Sequence, residues 1–127
     1  MRLGAVVLDS NNSRELADFY QRLLGWTKEC QIFEEEEWVI VKSANGEAIP
    51  LVFQEVEDYE KPKWPAAEGF QQQMIHLDFY VEANDFDDQL KHAISCGAIM
   101  SEIQLSESWK VMIDPAGHPF CIIPLPA

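Results

Sequence analysis

A chain of 127 residues with 47% hydrophobic and 24% charged side chains has the composition of one ordinary globular domain and not of a disordered segment. Its 9 Lys and Arg against 22 Asp and Glu leave a net charge of −13, a surface that repels phosphate backbones and anionic headgroups and so predicts no nucleic-acid or membrane partner. No apolar run reaches the ~20 residues a membrane span needs, and Asp9 interrupts the apolar start too early for a secretory signal.

The first predicted element is a buried strand over residues 3–8, apolar and rich in β-branched side chains. Asn12 then stands as a helix N-cap, with Glu15 three residues on as in a capping box. Leu16, Phe19, Tyr20 and Leu23 follow at helical spacing, and Gly25 closes the helix in the left-handed conformation. Strands are predicted over 27–33, 38–41 and 49–53, with Asn45-Gly46 as a tight turn. The run Glu34-Glu35-Glu36-Glu37 reads as a solvated hairpin loop, not a metal site.

Residues 54–73, rich in Glu, Pro and Lys, form a crossover linker; Tyr59, Trp64 and Phe70 within it argue for order. Residues 75–81 predict another strand. Asn84 is the next N-cap, Phe86, Leu90 and Ile94 form an apolar stripe, Gly97 ends the helix, and His92 lies on its solvated face.

The two halves repeat. Asn12 to Gly25 and Asn84 to Gly97 both span 13 positions, and Trp38 to Gly46 and Trp109 to Gly117 both span 8. Each half reads βαβββ, too small a unit for a core of its own. The expected fold class is therefore α+β: one domain (1–127) of two βαβββ modules, 1–53 and 74–127, packed around a shared cleft and joined by the 54–73 linker. Cys30, Cys96 and Cys121 are odd in number and lack Cys-x-x-Cys spacing, which points to a reduced, cytoplasmic protein.

With this repeat, Asp18-Phe19-Tyr20 running into Leu23-Leu24-Gly25-Trp26, and Asp114-Pro115-Ala116-Gly117-His118-Pro119-Phe120, resemble signals of the glyoxalase/bleomycin-resistance/extradiol-dioxygenase group, the vicinal oxygen chelate proteins. Trp64-Pro65 ahead of the stretch from Gln72 to Phe79 is similar to a glyoxalase-like bacterial subgroup. The resemblance covers nearly the whole chain and implies the doubled βαβββ fold and a homodimer. It also implies four metal-ligand positions on four strands, usually His or Gln, Glu, His and Glu. These fall here on Ala5 (or Gly4), Leu51 (or Pro50), His76 and Cys121. Two of the four carry no donor, so neither a metal nor any other cofactor is expected.

His76 is the candidate catalytic residue, and Asp78, two residues on, shares its face of the strand. Trp38, Phe53, Tyr59, Trp64 and Trp109 are candidate ring surfaces for a small organic ligand, with His76, Asp78 and Cys121 as its polar contacts. The leading expectation is small-molecule binding in an aromatic-lined cleft without a catalytic metal. Two alternatives stand beside it: a lyase or dioxygenase with a metal site rebuilt around His76, and a metal-free enzyme with His76 as base and Asp78 orienting it. Asp114 and His118 read as structural parts of their turn.

Overall fold

The computed structural model describes residues 1–126. The chain divides into two compact units, residues 1–59 and 60–127, each built around one mixed four-stranded sheet and one α-helix. The fold is α+β. The segment 54–73 is split between them: 54–59 stays with the first unit and 60–73 with the second. No helix among the described residues is long and apolar enough to cross a membrane.

In the first unit β1 (Val6–Ser10), α1 (Ser13–Leu24), β2 (Thr27–Phe33), β3 (Glu36–Lys42) and β4 (Leu51–Glu55) follow in order. The sheet runs β1-β4-β3-β2, with β1 and β4 parallel and the other pairs antiparallel. β1 begins three residues later than its apolar run predicts, because pairing with β4 starts only at Val6 opposite Leu51. α1 starts as its cap residues dictate. The Asn12 side chain accepts the Glu15 N–H at 3.1 Å, and Gly25 ends the helix at φ 68° with its N–H on Gln21 O. Leu16, Ala17, Phe19 and Tyr20 on one side of α1 are buried, as are Val39, Val41, Leu51 and Phe53 of the sheet. Tyr20 stacks on Phe53 with ring centroids 5.6 Å apart, so Phe53 faces the helix.

The β2–β3 turn puts Glu34 and Glu35 at φ 50° and 70°. Both central residues are therefore left-handed, the geometry of a type I′ turn that favours Asn-Gly and costs an ordinary side chain about 1–2 kcal/mol per residue. Replacing Glu34-Glu35 by Asn-Gly is expected to stabilise the protein by about 1 kcal/mol or more, read as a higher urea midpoint at unchanged slope.

In the second unit β5 (Leu77–Val81), a 3₁₀ turn (Ala83–Asp85), α2 (Phe86–Cys96), β6 (Ile99–Met100), β7 (Lys110–Ile113) and β8 (Pro119–Pro124) form a sheet ordered β5-β8-β7-β6. Here the predicted N-cap is displaced. Asn84 lies inside the 3₁₀ turn, and Asp85 takes the cap position without a side-chain hydrogen bond. Gly97 does end α2, at φ 121°, donating to Ala93 O and Ile94 O. α2 packs on β8, with Leu90, Ala93 and Cys96 buried on the helix and Met112, Phe120 and Ile122 buried in the sheet.

β6 is only two residues long, and the amide of Gln104 extends its pairing. Gln104 Oε1 accepts Val111 N–H at 2.8 Å, and its Nε2 donates to Val111 O and Ser101 O, both at 2.9 Å. The turn into β8 is organised by Asp114, which is 3% exposed. Its Oδ1 accepts the backbone N–H of Ala116 (2.9 Å) and His118 (3.0 Å), and its Oδ2 sits 2.9 Å from His118 Nδ1. Gly117 adopts φ 91°, and a Cβ there would lie 3.2 Å from Lys61 Cβ.

Candidate functional site

The parallel pairing of β5 with β8 decides which donors meet. Leu77 lies opposite Phe120, Asp78 opposite Cys121 and Phe79 opposite Ile122. Phe120 and Ile122 are buried, and Phe79 meets Phe120 edge-on at 5.7 Å; the register partners Asp78 and Cys121 share the face opposite to these three. His76, immediately before β5, falls on that face by alternation, and its Nε2 lies 3.2 Å from Asp78 Oδ1. The Cys121 thiol lies close to the Asp78 carboxylate, its register partner. One ligand atom each from His76, Asp78 and Cys121 lies within 4.8 Å of the others. Asp78 thus stands between an imidazole that it contacts and a thiol close by.

The side chains of His76 and Asp78 are 49% and 39% exposed, whereas Cys121 is 7% exposed. Burial pushes the Cys121 thiol up to about 11 from an ordinary value near 9, and the neighbouring Asp78 carboxylate adds to the shift. At neutral pH the Cys121 thiol is therefore protonated. Because folding raises this pKa, the folded protein holds the proton more tightly than the unfolded chain. The contribution is present below about 9 and is lost as pH rises towards about 11. Stability measured by urea unfolding is expected to fall over that interval, and less steeply in Cys121→Ala.

The other expected site residues are dispersed. Phe53 is a correction: it is fully buried against α1 and serves as core, because β4 places Leu51 and Phe53 on the helix side of its sheet. Trp38 and Tyr59 belong to the first unit, and Trp64 and Trp109 to the second. Trp38 lies on the face of its sheet opposite Val39 and Val41, next to β4, and is half-buried. Trp64 precedes Pro65 through a cis peptide in a segment tied by the Lys63–Gln72 bridge. The indole Nε1 atoms of Trp38 and Trp64 are buried without a hydrogen-bond partner among the described residues. Trp109 is half-buried and stands in the bend just before β7, whose Val111 is the register partner of Cys121. Tyr80 shares the sheet face of Asp78 and Cys121 and is well exposed. Sequence reasoning passed over it, although the alternation His76, Asp78, Tyr80 was there to be read.

The four metal-ligand positions implied by the family resemblance do not make its centre here. Ala5 carries no donor. Leu51 is a buried hydrocarbon paired with Val6 and Val41, and Pro50 beside it has no donor side chain either. The donors present, one N, one O and one S, are confined to the second unit. A hollow of about 440 Å³ beside α1, lined by Asn12, Arg14, Asp18 and Arg22, has no comparable chemistry. Arg14 there is paired with Glu37 through two contacts of 2.8 Å, and Asp18 with Lys28.

The sequence matches the model of a family described as a glyoxalase-like domain over residues 5–123. No curated protein matches it. Among solved structures, the chain is similar to fosfomycin resistance protein FosX from Mesorhizobium loti, at 11% identity and TM-score 0.71, over 98% of this chain and 92% of that one. FosX from Listeria monocytogenes, complexed with Mn(II) and sulfate ion, is similar at 12% identity and TM-score 0.70, covering 98% and 93%. A possible glyoxalase from Bacillus cereus is similar at 13% identity and TM-score 0.65, covering 97% and 98%. At such identities the likeness is one of fold.

Proposed function

The chain belongs to the glyoxalase-like domain family, and from that premise we propose that it binds a small organic molecule through His76 and Asp78, without the four-ligand metal centre of its superfamily. The observation that carries this reading is the gathering of His76, Asp78 and Cys121 on one sheet face, with Tyr80 on the same side. The half-exposed imidazole and carboxylate supply directional polar contacts, and the exposed Tyr80 ring supplies apolar area and a ring face. Asp78 and the net charge of −13 favour a ligand carrying a cationic or hydrogen-bond-donating group, with cation–π attraction from the ring. Cys30, Cys96 and Cys121, none of them in a disulfide, support a reducing, cytoplasmic setting, and the superfamily's habit of pairing supports a homodimer.

The test is a thermal-shift screen of the full chain in chelator, across cationic, aromatic and acidic compound sets. A compound at a hundred times its Kd stabilises the fold by about 2.7 kcal/mol, and His76→Ala is expected to remove most of that shift. No shift from any set, or a shift untouched by both His76→Ala and Asp78→Asn, would overturn the reading.

The 3.2 Å contact between His76 Nε2 and Asp78 Oδ1 favours a second reading, in which Asp78 orients His76 as a general base acting through its free Nδ1. In that case a bound compound is turned over. His76→Gln then abolishes turnover, and Asp78→Asn lowers it by roughly 10²-fold or more.

A further inference from the structure

We infer that His76, Asp78 and Cys121 form a binding site for a thiophilic divalent cation of the zinc class, contained wholly in the second unit and discriminating against manganese. The cation site goes beyond the proposed function and does not rest on it.

Three observations carry it. The first is proximity: the three ligand atoms lie within 4.8 Å of one another, with His76 Nε2 and Asp78 Oδ1 at 3.2 Å. Tetrahedral zinc with bonds of about 2.0–2.3 Å sets its donors roughly 3.3–3.8 Å apart, so no pair has to close by more than about 1.5 Å. His76 and Asp78 are half-exposed and free to make that adjustment by side-chain rotation. The second is the backbone beneath the donors. Asp78 and Cys121 are direct register partners on adjacent parallel strands, so their separation is set by the sheet and not by a loop. The third is the donor set. One imidazole, one carboxylate and one thiol suit zinc or cobalt(II), whereas manganese and magnesium prefer oxygen-rich sites. With hydrocarbon at Leu51 and Ala5, the superfamily's four-ligand centre does not fit this chain. The replacement of a carboxylate by Cys121 therefore changes which metal the remaining donors select.

The experiment uses the chelator-stripped full chain titrated with cobalt(II), followed by the near-ultraviolet thiolate-to-cobalt charge-transfer band. One equivalent is expected to produce the band and zinc to displace it. After desalting, elemental analysis is expected to find zinc retained and manganese lost. Cys121→Ser removes the band, and His76→Ala and Asp78→Asn, both at half-exposed positions, each weaken cobalt binding by more than about tenfold. Absence of the band in the wild type overturns the inference. So does a band that persists in Cys121→Ser, which would assign the thiolate to Cys30 or Cys96, or manganese retained as well as zinc. Should Cys121→Ser fail to fold, an unchanged cobalt affinity in His76→Ala overturns it equally. Because the organic-ligand screen is run in chelator, failure of the cation site leaves that screen's outcome untouched.

Discussion

Phe53→Ala is expected to destabilise the protein by about 4 kcal/mol, near the upper end of single-residue effects, while leaving ligand affinity of the folded fraction unchanged. Phe53 is completely buried, stacks on Tyr20, and pairs through the sheet with Leu8 and Val39. Truncation removes the whole ring and leaves a cavity that the flanking strands cannot close, since Val39 and Val41 are held by pairing on both sides. Chemical denaturation gives the first quantity, and titration of any compound found by the thermal screen gives the second. The combination matters: a ligand-contacting Phe53 would lower affinity as well as stability, and that result would restore it to the site.

Asp114→Ala is expected to cost about 3 kcal/mol, lowering the melting temperature by about 10 °C. The carboxylate is almost entirely out of water and accepts two backbone N–H groups and the His118 ring. Alanine leaves the Ala116 and His118 N–H groups without their acceptor at the entry to β8, the strand that carries Cys121. Asp114→Asn keeps the Oδ1 acceptor and is expected to lose less than half as much. Gly117→Ala in the same turn is expected to cost about 1–2 kcal/mol, through its φ of 91° and the close approach of Lys61. Calorimetric scans of the three variants rank them; a neutral Asp114→Ala would show that the turn is held by its backbone alone.

The elements most legible in the sequence are those made by local interactions. The Asn12 cap, the Gly25 and Gly97 terminations and the strand over 27–33 stand where residue type and spacing put them, because a cap or a left-handed glycine needs only neighbours within one helical turn. Boundaries set by distant partners were less legible. β1 and β5 each begin later than their apolar runs, because a strand begins where its partner does: Val6 with Leu51, Leu77 with Phe120. Asn84 was misplaced by the 3₁₀ turn that precedes α2.

The site shows the same division. The spacing of His76 and Asp78 placed both side chains on one face of a strand, a consequence of the pleat that holds wherever the strand pairs. Whether that face also carries Cys121 depended on the register between strands more than forty residues apart in the chain, since a slip of one residue would bring Phe120 or Ile122 beside Asp78 instead. Likewise an aromatic pattern cannot distinguish Phe53, turned onto α1, from Trp38, on the other side of the same sheet; burial of one sheet face decides it. Residue identity and local spacing alone carry the repeat, the Asn12 cap, the Gly25 and Gly97 terminations, the family and the absence of donors at Ala5 and Leu51. That an imidazole, a carboxylate and a thiol meet is a product of long-range strand pairing, which no local pattern specifies.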